Sequence, residues 1–255
     1  MPLLVAHRGA MTEAPENTKS AFDRALAYPV DGIEFDVQIT RDGTPVIFHD
    51  KAVKKINGSS KTISDYTFQE LNGFDWGGWF SNEYRGEQIL TLEQVLRAYC
   101  QRTHLFIEIK AAPKPAQIKL YHTLPKLVVR LIRKIVPFEF IANIYILSFD
   151  TDILNLGYNQ DPELKYVLNV ESPGFHPEPL GGAMAYIYGC CLEQIHLTRE
   201  IVSYFHHSNI KVMTYSCNNR KQIDHALSLR TDVVMTDNPK GVHGYFSESV
   251  QNFSD

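Results

Sequence analysis

A closed barrel of eight parallel strands wrapped by helices is the fold this sequence predicts, and three observations predict it. Short runs rich in β-branched and aromatic residues alternate with helical patterns along the chain, the mark of βα units on a parallel sheet. The 255 residues match the roughly 250 that such a barrel takes. Nine strand-like runs are present; one is the return leg of a hairpin, which leaves the eight that close a barrel.

The first run, LLVAH at 3–7, leads into the helical pattern NTKSAFDRALAY at 17–28. Within PENT at 15–18, Asn17 or Thr18 is placed to cap that helix. GIEFDVQI at 32–39 and PVIFH at 45–49 are joined through RDGT, an Asp-Gly hairpin signal. With the turn at Asp42-Gly43, facing residues sum to about 85, which sets Asp36 opposite His49. Residues 51–90 are polar and rich in Gly and aromatic residues. They read as a small insertion after the second barrel strand, inside a single domain over 1–255. Thr91 is placed to cap TLEQVLRAYC at 91–100, with Glu93 and Gln94 in its first turn.

HLFIEIK at 104–110 is apolar on both sides of its charges and is expected to be central. The helical run KLVVRLIRKI at 126–135 carries Lys126, Arg130, Arg133 and Lys134. It is expected to be an outer barrel helix with solvated cations, the alternative being a membrane-surface helix. The strands NIYILSF at 143–149 and KYVLNV at 165–170 follow, then a Pro/Gly-rich loop at 172–182 and the strand MAYIYGC at 184–190. The helix LTREIVSYFHH at 197–207, the strand KVMTYSC at 211–217, the helix RKQIDHALSL at 220–229 and the strand DVVMTD at 232–237 complete the alternation. The tail after Pro239 reads as a short terminal extension. No internal repeat is present.

The bulk numbers narrow the function classes. Apolar content of 44% and charged content of 21% are ordinary for a folded globular chain. A net charge of −4 gives no support to nucleic-acid binding, which needs a basic face. Cys100, Cys190, Cys191 and Cys217 form neither a CxxC pair nor a zinc pattern and are expected to be small buried hydrophobes. The N-terminal segment lacks a charged n-region, and no apolar run approaches the ~20 residues of a membrane span. The expected compartment is the cytoplasm. Peripheral membrane contact and oligomeric state stay open.

Four groups lie within the first fifty residues: His7, Glu34, Asp36 and His49. Glu34 and Asp36 are two apart on one strand and project from the same face. Two acids on so apolar a strand are costly unless paired with cations or a metal. Glu108 and Lys110 repeat the spacing in LFIEIK. Three carboxylates form an oxygen-only donor set, which selects Mg²⁺, Ca²⁺ or Mn²⁺ over zinc. His7 and His49 can divide acid and base roles because imidazole titrates near working pH. Arg8 offers a planar fork for phosphate oxygens, and Gly9 allows a sharp turn or a close backbone approach. Tyr215, on a late strand, is a candidate substrate contact or an aromatic of the barrel core.

These motifs resemble those of the glycerophosphodiester phosphodiesterases. The likeness rests on HRG…PENT, on E-x-D-V-x-x-T-x-D-G-x-x-V-x-x-H-D, on IEIK, and on later landmarks at Ser148-Phe149 and Thr236–Pro239. It extends through NGSSKTISDYTFQELNGFDWGGWFSNEYRGEQILTLEQVL and covers roughly residues 3–240. The resemblance implies a TIM-type (β/α)8 barrel and metal-dependent hydrolysis of a small-molecule glycerophosphodiester to sn-glycerol 3-phosphate and an alcohol. Lysophospholipase D-type action and a non-catalytic phosphodiester-binding barrel are the alternatives. By the same likeness, Glu34, Asp36 and Glu108 bind the divalent metal, Mg or Ca. His7 and His49 are then the acid–base pair, with His49 favoured as the acid, and Arg8 and Lys110 contact phosphate. The chain departs from the family at Tyr215, where tryptophan is frequent, and at KAVKKINGSS, where Arg-Thr-Thr more often precedes the Asn-Gly.

Overall fold

The computed structural model describes residues 2–170 and 178–252. Its strands are β1 (Leu3–His7), β2 (Gly32–Ile39), β3 (Pro45–Ile47), β4 (His104–Ile109), β5 (Ile144–Ser148), β6 (Lys165–Val170), β7 (Gly189–Glu193), β8 (Lys211–Tyr215) and β9 (Val233–Thr236). β1 pairs in parallel with both β2 and β9, so eight parallel strands close into a barrel; β3 lies outside, antiparallel to β2. The helices are α1 (Lys19–Ala25), α2 (Lys54–Asn57), α3 (Phe68–Leu71), α4 (Leu92–Tyr99), α5 (Ile118–Tyr121), α6 (Leu124–Ile135), α7 (Thr151–Tyr158), α8 (Arg199–His207), α9 (Arg220–Ser228) and α10 (Pro239–Asn252).

Strand alternation builds two apolar layers. Ile33, Phe35, Val37 and Ile39 of β2 face outward and pack with Phe22 of α1 and Leu92, Leu96 and Tyr99 of α4. A separate cluster, with Val5, Phe106, Leu147, Val167, Cys191 and Met213, fills the inside of the barrel. Residues two apart share a strand face. Phe106 and Glu108 of β4 therefore stand one above the other, with the apolar residue deeper and the acid toward the strand's C-terminal end. β3 and the residues after it carry a third cluster of Val46, Phe48, Val53, Ile63, Leu71, Trp76 and Ile89. All four cysteines are free and buried.

Local signals explain most boundaries. Thr18 caps α1, accepting from Ala21 N at 3.3 Å. Thr91 caps α4 through a reciprocal capping box with Gln94. The basic run lies on an outer helix: α6 buries Leu124, Val128, Val129 and Ile132, while Arg133 turns out to ion-pair with Asp161 and Glu163.

Three expectations need correction, and one helix goes unmarked in the sequence pattern. The hairpin joins Ile39 to Pro45, and Val37 faces Ile47, so facing numbers sum to 84 and Asp36 is level with Phe48 rather than His49. The cause is a three-residue loop: Thr40 N donates to Thr44 O at 3.0 Å, with Gly43 at φ 83°, the left-handed position such loops require. The strand expected at 184–190 begins at Gly189. Met184 and Ala185 end a short 3-10 helix, and Tyr186 stacks on Tyr158 of α7 at 4.8 Å. The sequence pattern did not single out α7, which Asp150 caps through Asp152 N at 2.8 Å. The tail after Pro239 is α10, which packs on α9 and β1 and buries Val242 and Phe246. Gly241 and Gly244 lower helix propensity there, but burial of each large side chain contributes about 1.5–3 kcal/mol. Of the loop expected at 172–182, residues 172–177 lie outside the described residues.

Candidate active site

The C-terminal ends of β1, β2, β4, β6, β7 and β8 open onto a cavity of about 520 Å³. Its lining includes His7, Arg8, Glu34, His49, Glu108 and Lys110. Register brings the acids together. Asp36 pairs laterally with Glu108, and Glu34 with His7. Carboxylate oxygens of Glu34, Asp36 and Glu108 all lie within 4.8 Å of one another, and all three residues are buried.

Two cations lie against these acids. Arg8 Nε is 3.3 Å from Asp36, its backbone N donates to Glu34 at 3.2 Å, and its guanidinium reaches Glu16 at 3.5 Å. Lys110 Nζ sits 2.5 Å from Glu108 and 3.2 Å from Asp36. The balance of charge divides the acids. Burial pushes Glu34 well above the carboxylate range, and the charges of Asp36 and Glu108 push it further. Glu108 is raised by the same two causes, burial and Asp36. For Asp36, burial is outweighed by Lys110 and Arg8, which hold it below its ordinary value. The two acids in turn raise Lys110 against its burial.

Each histidine is held by an aspartate. His7 Nδ1 is 2.6 Å from Asp237 Oδ1, and its Nε2 lies 3.8 Å from Glu34. His49 Nδ1 is 2.9 Å from Asp50 Oδ1. Asp237 also accepts from Ser216 Oγ at 3.1 Å and Asn218 Nδ2 at 2.6 Å. Burial raises Asp237, but hydrogen bonding and the charge of His7 outweigh it and bring it down to about 2. Asp50 is lowered by its hydrogen bond to His49, and its second oxygen meets Lys55 at 3.2 Å. Lys55 meets Glu16 at 2.6 Å.

The structure thus gathers His7, Arg8, Glu34, Asp36, His49, Glu108 and Lys110 at one mouth. Tyr215 lines the same cavity, with its ring 6.2 Å from that of His7, and packs on the inner apolar cluster below. Gly9 serves a turn at φ 81°, and a Cβ there would sit 2.7 Å from the Ala21 backbone; its close approach is to α1. Asn17 is not the cap. It takes φ 61° and grips Asp36, donating from Nδ2 to Oδ2 at 2.8 Å.

Sequence reasoning passed over Asp237, Asp50, Glu16, Lys55 and Asn169. Asn169 donates to Glu108 Oε2 at 3.0 Å. Its signal was present: Asn169 is two residues from Val167, on the inward face of β6. Asp237 stood inside the TDNP landmark, but nothing local tied it to a histidine 230 residues away.

The donor set suits a hard cation. All three acids present oxygens, Asp36 Oδ1 faces the Lys110 ammonium at 3.2 Å, and Asn169 Oδ1 is buried with no hydrogen-bond partner among the described residues. A divalent ion among three like charges would remove the repulsion that raises Glu34 and Glu108.

Comparison with known proteins identifies the chain's relatives. The model of the glycerophosphoryl diester phosphodiesterase family matches residues 7–241. A glycerophosphodiester phosphodiesterase of Caldanaerobacter subterraneus is 29% identical over 93% of this chain and 95% of its own. One from Bacillus altitudinis is 28% identical over 94% and 96%. Among solved structures, an Oleispira antarctica phosphodiesterase in complex with sn-glycerol-3-phosphate matches with TM-score 0.84 and 25% identity over 98% of this chain and 97% of its own.

Proposed function

Because the chain belongs to the glycerophosphoryl diester phosphodiesterase family and is a phosphodiesterase of that class, we propose that it hydrolyses glycerophosphodiesters to sn-glycerol 3-phosphate and an alcohol, using a divalent cation at Glu34, Asp36 and Glu108 and proton transfer by His7 and His49. One observation carries this reading. Two aspartate-held histidines flank a cluster of three buried carboxylates in a single cavity. The solved relative that holds sn-glycerol-3-phosphate supports the product.

Glu34, Asp36 and Glu108 would hold Mg²⁺ or Ca²⁺, which would supply Lewis-acid chemistry toward the phosphodiester. The protein's own groups do the rest. Arg8 and Lys110 add positive charge beside the acids and orient the phosphodiester. With Nδ1 committed to an aspartate, each imidazole turns Nε2 to the reaction. His7 serves as the base. The imidazolium it forms faces Asp237, whose other partners, Ser216 and Asn218, are neutral. His49 serves as the acid toward the leaving alcohol, since Asp50 divides its charge with Lys55. The nucleophile is water or the substrate's own glycerol 2-hydroxyl; the second gives a cyclic phosphate that water then opens, favoured by the high effective concentration of a held hydroxyl.

The test is direct. Purified protein is incubated with glycerophosphocholine, glycerophosphoethanolamine and glycerophosphoinositol, with Mg²⁺, Ca²⁺ or EDTA, while sn-glycerol 3-phosphate is followed. Turnover that survives complete metal removal rules out the cation at the carboxylates. A 2-deoxy substrate cleaved at the normal rate rules out the cyclic route.

A further inference from the structure

We propose that the rim of the barrel mouth is a docking surface for an anionic lipid bilayer. The chain as a whole is acidic, at −4, yet two segments at this mouth contain no acid. Residues 51–64 carry four lysines and no Asp or Glu, and residues 110–122 carry three lysines and no Asp or Glu. Both segments reach the cavity wall, through Lys51 in one and Ala111 to Pro113 in the other. They are fastened side by side: Gln117 Nε2 donates to Thr62 Oγ1 at 2.9 Å, and Lys114 pairs with Asp65 at 2.7 Å.

The same rim exposes apolar side chains. Ile118, the first residue of α5 after β4, is 44% exposed, Phe149 after β5 is 38% and Ile195 after β7 is 62%. All three follow C-terminal ends of barrel strands and so stand on the face that opens the site. Around Ile118 the chain reads AAPKPAQIKL, small and apolar residues interleaved with lysine. Lys51, Lys54 and Lys119 are exposed and make no ion pair with another of the described residues. Exposed apolar groups among unpaired lysines match a surface with anionic headgroups above an apolar layer. A protein partner would need a shaped acidic patch; a bilayer needs only charge and shallow insertion. Docking in this pose turns the cavity toward the headgroup plane. The proposal stands on the surface alone and does not depend on which phosphodiester is cleaved.

Co-sedimentation tests it with the intact protein and two kinds of vesicle, phosphatidylcholine alone and phosphatidylcholine mixed with phosphatidylglycerol. Binding is expected only to the mixed vesicles and to fall steeply as salt rises. Lys119→Glu together with Lys54→Glu is expected to weaken it at least 25-fold, from about fivefold for each lysine, and Ile118→Asp to weaken it independently. Turnover of soluble glycerophosphocholine should be unchanged in these variants, which also reports their folding. Arg130→Glu, on outer helix α6, is the control and should still bind. Three results overturn the proposal: no binding of the wild-type protein to mixed vesicles, equal binding to both kinds, or loss on Arg130→Glu but not on the rim substitutions. The salt and vesicle comparisons use the wild-type chain and decide the matter even where a variant misfolds.

Discussion

Asp237 Oδ1 sits 2.6 Å from Nδ1 of His7, and the two residues are separated by 230 positions in sequence. The contact crosses the seam where β9 closes on β1, so barrel closure itself assembles the proposed base. Asp237→Asn keeps the shape of the side chain but removes the charge that favours an imidazolium. Turnover is expected to fall by about 10²–10³-fold, with KM changed little. Steady-state kinetics beside a circular dichroism spectrum tests this, and near wild-type turnover would count against His7 as the base.

The carboxylate cluster should stabilise the protein only when a cation is present. Glu34 is raised by burial and by Asp36 and Glu108, so its charged form works against folding of the metal-free chain. Glu34→Gln should raise the melting temperature in EDTA, abolish the rise that Mg²⁺ or Ca²⁺ gives the wild-type protein, and remove activity. Calorimetry with and without metal reads all three. A variant that melts below wild type in EDTA would contradict the repulsion argument.

Asn17 bridges the first loop to Asp36 from both ends of its amide. Asn17→Ala should leave the fold intact and weaken metal affinity about 10–100-fold, the usual cost of losing a group that orients a ligand. Isothermal titration with Mg²⁺ or Ca²⁺ measures it; unchanged affinity would show that Asn17 only shapes the loop.

An ion pair far from the site sets a pH-dependent part of stability. Asp161 is lowered by its hydrogen bonds to Arg133, against partial burial. A carboxylate lowered on folding contributes stability that is present above the unfolded value of about 3.9. It is lost as pH falls through the folded value. Asp161→Asn should therefore melt about 2–4 °C below wild type at pH 7, for a loss of about 1 kcal/mol. The gap should close as acid titrates the wild-type pair. A gap that is constant down to pH 2 would assign the effect to packing.

The acids and histidines were legible because their information is local. Glu34 and Asp36 are two apart on one strand, as are Glu108 and Lys110, and alternation alone aims each pair at one face. The hairpin was legible in kind but slipped by one residue, since the Asp-Gly signal does not count the loop that contains it. α10 was hidden by two glycines whose cost only tertiary burial of Val242 and Phe246 offsets. Asp237 and Asn169 depend on pairing between strands far apart in sequence, which no window of residues contains.

β3 pairs with β2 on one side only. On its other side, among the described residues, its backbone meets the segment before α4, with Ile47 N donating to Leu90 O and Val46 bridging Thr91. His49 is thus carried by a flap hung on the closed ring, while His7 is part of the ring. The two proposed proton carriers therefore belong to regions of unequal opening free energy. On warming, the flap should loosen before the ring, so catalysis ends at a lower temperature than cooperative unfolding, and amides near His49 exchange with solvent sooner than those near His7.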